Sequence, residues 1–154
     1  MRTGVRLGVD VGKARIGVAR SDLHGMLALP VETVPRGPGD LERLIALVAE
    51  YEVAEIVVGL PLSLKGTDTA STDDARAFAA RLAALAQLSV RWVDERRSTV
   101  SAQQALRASG RTTKNSRAVI DQVAAVIILQ HALDAERSGG NAPGSLVRTG
   151  NQGL

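Results

Sequence analysis

The sequence contains no cysteine and almost no aromatic residues. Of its 154 residues, 45% are apolar, but only 2% are aromatic and two are histidines. The absence of cysteine excludes disulfides, thiolate metal sites and a thiol nucleophile. Because His24 and His131 are too few for a histidine-rich zinc site, any bound metal must be held mainly by oxygen atoms, which favours Mg²⁺ or Mn²⁺.

The sequence also lacks a long hydrophobic run. Its first ten residues contain too short an apolar stretch for a signal peptide and no small-residue cleavage site. The longest apolar stretch, residues 123–129, is too short to span a bilayer. We therefore expect a cytoplasmic protein without a membrane partner. The length fits one domain, which we place at residues 1–137, and the glycine-rich residues 138–154 are expected to form a disordered tail.

Positive charge is concentrated in one part of the chain. The net charge is +3, and between Arg91 and Arg117 there are seven basic residues but only two acidic ones. This local excess fits a polyanionic partner such as nucleic acid. On composition alone, a solvated basic surface explains it equally well.

Hydrophobic periodicity predicts a mixed α/β domain. Apolar residues alternate on both sides of a turn at Gly12, which predicts a β-hairpin, and a third strand containing Pro30 is expected at a sheet edge. Strands alternating with helices follow, so we predict a five-stranded sheet, antiparallel in its first three strands and then parallel, flanked by helices. The predicted strands are 5–10, 16–19, 26–34, 56–58 and 90–93, and the predicted helices follow an N-cap at Asp40, start near Thr72, and span 98–106 and 119–136.

Carboxylates stand at the ends of two predicted strands. Asp10 ends the first strand between Gly8 and Gly12, and Asp94 and Glu95 end the strand at 90–93. In open α/β sheets, ligands bind outside the carboxyl ends of the strands. A turn residue that caps the bend at Gly12 would also explain Asp10, and an ion pair with a neighbouring arginine would explain either residue of the second pair.

Asp121 is a third unusual carboxylate, on an otherwise apolar helix. It shares a helix face with Ala124, Ala125 and Ile128. Burying an unpartnered carboxylate costs roughly several kcal/mol, and a bound cation would remove that cost. The alternative is a residue near the helix N-terminus that the helix dipole stabilises. Together, Asp121 and the strand-end carboxylates predict a Mg²⁺ site that orients a phosphodiester and activates water, with no histidine base required.

Four motifs, in this order, resemble the YqgF/RuvX family of Holliday-junction-resolvase-like proteins. They are D-x-G-x-x-x-x-G-x-A at 10–19, V-G-L-P-L at 58–62 with Gly66, D-E-R-x-(S/T)-T at 94–99, and D-x-x-A-A at 121–125 followed by I-L-Q at 128–130. The resemblance covers about residues 5–135. Arg97 stands where the family usually has leucine, and residues 117–120 are less lysine-rich than usual, but neither departure changes a carboxylate.

The resemblance implies a ribonuclease-H-like fold and a divalent-metal-dependent nuclease. The family is associated with processing the ends of precursor 16S ribosomal RNA and, by relationship, with resolving four-way DNA junctions. Asp10, Glu95 and Asp121 would be the catalytic, metal-binding carboxylates, with Asp94 as the substitute for Glu95. The expected phosphate contacts are Lys13, Arg15, Arg96, Arg97, Lys114 and Arg117. A homodimer would suit a two-fold symmetric junction, whereas trimming an RNA end needs no symmetry.

Two other functions fit parts of the sequence. ATP-binding proteins of the actin and sugar-kinase type open with a similar D-x-G-x-x-x-x-G motif, but they need two lobes, and a chain of 154 residues without a repeat has room for one. A non-catalytic nucleic-acid-binding or ribosome-binding module would explain the basic stretch, although the presence of all three carboxylates argues against it. Metal-dependent cleavage that Asp10→Asn abolishes would separate an enzyme from a binding module.

Overall fold

The computed structural model describes residues 3–61, 69–94, 116–140 and 144–147, and of residues 116–121 and 145 it describes only the backbone. The predicted helix at 98–106 lies outside the described residues. The described elements are β1 (Val5–Val11), β2 (Arg15–Ser21), β3 (Ala28–Pro35), α1 (Asp40–Glu50), β4 (Val53–Leu60), α2 (Ala70–Ala86), β5 (Ser89–Asp94), α3 (Ser116–Gly139) and β6 (Ser145–Leu146).

The strands form one mixed sheet in the order β3-β2-β1-β4-β5-β6. β1, β2 and β3 are antiparallel neighbours, and β4 and β5 continue the sheet in parallel with β1. This arrangement confirms the predicted five-stranded sheet, and β3 lies at its edge, as Pro30 led us to expect. β1, β4 and β5 all end at one side of the sheet, where β2 begins and β3 ends, and we call this side the C-terminal end of the sheet.

A sixth strand lies within the segment expected to be a disordered tail. α3 continues to Gly139, and Ser145–Leu146 pairs antiparallel with β5. Val147 follows, and its side chain is buried in the core. Within 138–154, residues 138–139 thus belong to α3, 145–146 pair with β5, and Val147 packs in the core. A strand of two residues is too short to produce an alternating pattern among the surrounding glycines, so hydrophobic periodicity does not predict it.

α1 starts differently from the prediction. Its N-cap is Gly39, which has a φ of 90° and makes no side-chain cap. Asp40, expected at the N-cap, is instead the first helical residue. Its carboxylate accepts hydrogen bonds from the backbone N–H groups of Leu41 and Gly37 at 2.7 and 3.1 Å. The carboxylate thus still satisfies donors at the helix start, but from within the helix.

The two faces of the sheet support two separate hydrophobic cores. On one face, which we call the α1/α2 face, the strands pack against those two helices through side chains such as Leu7, Val9 and Phe78. On the other, the α3 face, Val57 and Ala19 pack against α3. Nearly every large buried residue is aliphatic, as the scarcity of aromatics requires. Within the described residues, no helix is long and apolar enough to cross a membrane.

α3 lies directly on the sheet at Gly8. A Cβ atom added at Gly8 would be 2.7 Å from Leu129 Cβ and 3.0 Å from the carbonyl oxygen of Ala125. Only glycine allows this close approach. Further towards the start of β1, Arg6 Nη2 donates to Glu136 Oε2 at 3.1 Å. The helix therefore runs antiparallel to β1, and its earlier residues lie towards the C-terminal end of the sheet.

The Arg6–Glu136 ion pair fixes the other end of α3, and both of its side chains are only 4% exposed. Removing one partner of a buried pair leaves an uncompensated charge, which costs ~3–5 kcal/mol. We therefore expect Glu136→Gln to lower the free energy of unfolding by that amount in urea titrations. The matched control is Asp134→Asn, which breaks the half-exposed pair with Arg137 on the same helix and should cost ~1 kcal/mol or less. Equal losses in the two variants would contradict this role.

Candidate active site

Asp10 lies near the end of β1, at the C-terminal end of the sheet. It pairs with Gly17 of β2, which pairs in turn with Thr33 of β3. On the other side Val9 pairs with Val58, so the next residues along, Asp10 and Gly59, lie side by side, and Gly59 pairs with Val93 of β5. Thr33, Gly17, Asp10, Gly59 and Val93 thus form one row across the sheet, which we call the Asp10 row.

The Asp10 carboxylate points to the α3 face, because side chains alternate along a strand and Gly8 faces that helix. Both of its neighbours in the row are glycines, so neither adjacent strand, about 4.8 Å away, places a side chain beside the carboxylate on this face. The N–H of Gly12 donates to the carbonyl oxygen of Arg15 at 2.9 Å. The bend at Gly12 is therefore closed by the backbone, which weakens the explanation of Asp10 as a turn cap.

The end of β5 shows on which face of the sheet Asp94 lies. Val93 packs into the core of the α3 face, whereas Trp92 packs into the core of the α1/α2 face. Because side chains alternate along a strand, Asp94 points to the same face as Trp92, which is the face opposite Asp10. Asp94 is exposed and pairs with Leu60. Glu95 lies outside the described residues.

The start of α3 lies over the Asp10 row. Gln122 Nε2 donates to Thr33 Oγ1 at 3.0 Å, which ties this part of the helix to the row. From Ala125, which lies on Gly8, to Asp121 the helix advances about 6 Å, and from Gly8 to Asp10 the strand advances about 6.6 Å in the same direction. The backbone at Asp121 is thus level with Asp10, although the Asp121 side chain is not among those described.

Asp121 is also farther into α3 than the sequence predicted. The described part of the helix already includes Ser116, so Asp121 is at least its sixth residue. Stabilisation by the helix dipole falls off within the first turn. The dipole therefore gives little reason for a carboxylate at this position.

The expected phosphate-binding residues are described only in part. Lys13 is exposed and Arg15 partly exposed, and both lie in or beside the β1–β2 turn that follows Asp10. Arg117 belongs to the first turn of α3, where only the backbone is described. The remaining three, Arg96, Arg97 and Lys114, lie outside the described residues.

The structure adds a cluster around Arg36 that the sequence did not reveal. Arg36 Nη1 donates to the carbonyl oxygen of Gly12 at 2.8 Å and, with Nη2, to both carboxylate oxygens of Asp74 at 2.8 and 3.0 Å. Its guanidinium also lies over the Phe78 ring, 5.1 Å from the centroid. The hydrogen bonds from Arg36 lower the pKa of Asp74, and Asp74 in turn raises the pKa of Arg36. This pair ties the turn after Asp10 to α2.

A cleft of about 550 Å³ lies beside this turn. Basic residues Lys13, Arg36 and Arg81 line it together with the acidic residues Asp40 and Glu42. Because the two signs of charge nearly balance, the cleft lacks the strong positive potential that would attract a polyanion on its own.

The described side chains do not complete a metal site by themselves. Among them, no group of three histidine, aspartate or glutamate residues could hold a metal ion. Of the predicted ligands, only Asp10 and the substitute Asp94 have described side chains, and Asp94 lies on the opposite face. Both histidines are exposed. His24 lies in the β2–β3 turn, at the end of the sheet opposite Asp10, so it is not placed to act as a base there.

Comparison with known proteins identifies relatives over nearly the whole chain. A family model described as RuvX, Holliday junction resolvase, matches residues 4–135. A candidate pre-16S rRNA nuclease of Clavibacter michiganensis subsp. michiganensis is 64% identical, over 96% of this chain and 93% of its own length. One from Leifsonia xyli subsp. xyli, with the same description, is 59% identical over 96% of both chains.

A solved structure is similar in fold. RuvC of T. thermophilus, determined in complex with a Holliday junction substrate, superposes with a TM-score of 0.60 over 90% of this chain and 99% of its own. The two sequences are 18% identical, so this likeness concerns the fold alone. It confirms the ribonuclease-H-like fold that the motifs implied.

The Gln122–Thr33 hydrogen bond provides a test of how α3 is seated. We expect Thr33→Val, which removes the hydroxyl but keeps the shape, to weaken Mn²⁺ binding by about 3- to 10-fold. That is less than the loss typical of a group bonded directly to a metal ligand. Thr33→Ser keeps the hydroxyl and is the matched control. Calorimetric titration with Mn²⁺ measures the affinity, and a lower melting temperature of Thr33→Val with unchanged affinity would show that the bond only stabilises the fold.

Proposed function

Because this chain belongs to the RuvX family, we propose that it is a metal-dependent nuclease that hydrolyses phosphodiester bonds at the ends of precursor 16S ribosomal RNA. The family match and the names of the relatives support a nuclease acting on nucleic acid. The observation that carries the proposal is the position of the α3 backbone at Asp121, level with Asp10 at the C-terminal end of the sheet. Processing of ribosomal RNA would take place in the cytoplasm.

We propose Asp10, Glu95 and Asp121 as the ligands of Mg²⁺ or Mn²⁺. A set of carboxylate oxygens suits these hard cations, and the two glycines beside Asp10 leave room for an ion and a phosphate group. Alternation along β5 supports Glu95 over Asp94, because Asp94 lies on the opposite face. A bound divalent ion would supply Lewis-acid activation of water and neutralise charge on the phosphodiester.

The protein's own contribution is to hold these groups and the nucleic acid in register. Each of the six proposed phosphate contacts lies within seven residues of a proposed carboxylate in the sequence. Contacts to phosphates fix the position of a nucleic acid without reading its sequence. The proposed contacts are Lys13, Arg15, Arg96, Arg97, Lys114 and Arg117.

A four-way DNA junction is the second candidate substrate. The description of the matching family and the bound substrate of the similar RuvC structure favour it. Cutting a two-fold symmetric junction in both strands would favour a homodimer, whereas processing an RNA end needs no such symmetry. The names of the full-length relatives favour RNA.

Cleavage assays with Mg²⁺ or Mn²⁺ on precursor 16S RNA and on a synthetic four-way junction test this proposal. We expect the wild-type protein to cut the RNA. Asp10→Asn, Glu95→Gln and Asp121→Asn should each reduce the cleavage rate by about 100-fold or more. Each of these substitutions removes a ligand of an ion that stabilises charge by several kcal/mol. Asp94→Asn should have a much smaller effect. Glu50→Gln, at the end of α1 remote from the Asp10 row, serves as the control.

The possible results separate the candidates. Symmetric nicks in the junction without RNA cleavage would replace ribosomal RNA by branched DNA as the substrate. Binding of both nucleic acids without cleavage of either would leave a non-catalytic binding module. Wild-type rates in all three carboxylate variants would contradict the assigned site.

A further inference from the structure

The segment after α3 returns to the sheet and pairs with the outer edge of β5. Leu146 and Ser145 are the partners of Arg91 and Trp92. The N–H of Val147 donates to the carbonyl oxygen of Val90 at 2.7 Å, and the Val147 side chain is buried in the core of the α1/α2 face. β6 is thus anchored by both backbone pairing and an apolar side chain.

Gly144 brings this segment into contact with the last part of β5. Its φ is 60°, in the left-handed region. A Cβ atom added there would overlap the carbonyl oxygen of Trp92, lie 2.8 Å from the Trp92 carbonyl carbon and lie 3.3 Å from Val93 Cγ1. Any larger residue would therefore displace either the segment or the Trp92–Val93 peptide.

That peptide immediately precedes Asp94 and Glu95. On its inner side β5 is held by β4 up to the pair of Asp94 with Leu60. On its outer side, among the described residues, β6 is the neighbouring strand. Without β6, the end of β5 would be an edge strand held from one side only. A metal ligand, by contrast, must be held within about 0.5 Å of its productive position.

We propose that β6, held in place through Gly144, positions the end of β5 so that the next residue, Glu95, can bind the proposed metal ion. Gly144 is then a positioning residue for the metal site. This inference rests on the proposed function, in which Glu95, the residue directly after β5, is a metal ligand. A purely stabilising role, in which β6 only covers the edge of the sheet against aggregation, is the alternative to be tested.

The chain offers a closely matched pair of substitutions for the test. Gly144→Ala introduces both left-handed strain and the overlap with Trp92. Gly140→Ala introduces similar strain at a φ of 73°, but nothing lies within 4 Å of the added Cβ. Any difference between the two full-length variants therefore reports the contact with β5 rather than the loss of glycine.

Three measurements on the full-length protein are needed. The single tryptophan of the chain, Trp92, reports the pairing of β6 through its fluorescence. Calorimetric titration with Mn²⁺ gives metal affinity, and cleavage of precursor 16S RNA gives kcat and KM. We expect Gly144→Ala to shift the Trp92 fluorescence and to weaken Mn²⁺ binding by about 10-fold or more, since a group supporting a metal ligand typically contributes 10- to 100-fold in metal affinity. The same variant should lower kcat, with KM within about twofold of wild type. Gly140→Ala should match wild type throughout.

A milder variant covers the case in which Gly144→Ala does not fold. Val147→Ala keeps the backbone pairing but removes part of the buried anchor, and we expect it to change the fluorescence and the Mn²⁺ affinity in the same directions by smaller factors. If β6 is displaced, as judged by Trp92 fluorescence, while Mn²⁺ affinity stays within about twofold of wild type, β6 only covers the sheet edge and the inference is wrong. Failure of the proposed function is distinguishable, since wild type would then bind no Mn²⁺ or Asp10→Asn would bind it equally well.

Discussion

The close packing of α3 against β1 is the contact on which the rest of the account depends. At Gly8 the helix approaches the sheet so closely that no side chain fits between them. The buried pair of Arg6 with Glu136 fixes one end of this contact. Because the helix runs antiparallel to β1, the same contact determines which helical residues lie near Asp10. Moving the helix by one turn would shift the backbone at Asp121 by about 5.4 Å along the sheet, out of level with Asp10.

The composition of the chain suits this arrangement. Alanines on the inner face of α3, such as Ala125 and Ala132, let the helix lie low on the sheet, and Ile128 and Leu129 fill the remaining space between them. Each large aliphatic side chain buried in this way contributes about 1.5–3 kcal/mol. A core rich in aromatic residues would hold the helix farther from the strands. The scarcity of aromatic residues therefore allows α3 to pack close to the sheet.

Much of this fold could be predicted from the sequence, because the decisive signals are local. Alternation of apolar residues around Gly12 identified the β1–β2 hairpin, and the spacing of Ala125 and Ile128 identified the face of α3 that packs against the sheet. Non-local contacts gave no such signal. Arg36 and Asp74 are 38 residues apart in the chain, and the two-residue strand β6 is too short to have a period.

The choice between Asp94 and Glu95 shows the same limit at the site itself. Two adjacent carboxylates at a strand end are equivalent in sequence, and only the structure shows that Asp94 lies on the face opposite Asp10. Val93 packs on the α3 face and Trp92 on the other. Likewise, aspartate is a favourable N-cap residue, which predicts Asp40 at that position. In the structure Gly39, with its positive φ, is the N-cap, so the helix begins one residue earlier than predicted.

Paramagnetic broadening by Mn²⁺ in the amide NMR spectrum would test most directly whether a metal site lies where α3 crosses the Asp10 row. Substoichiometric Mn²⁺ should broaden the backbone signals of Gly12, Gly17 and Gly59 first and leave Gly25, at the opposite end of the sheet, sharp. Asp10→Asn should remove the effect. Broadening centred instead on Gly37 and Gly39 beside the cleft, or no localised broadening at all, would contradict a metal site at the C-terminal end of the sheet.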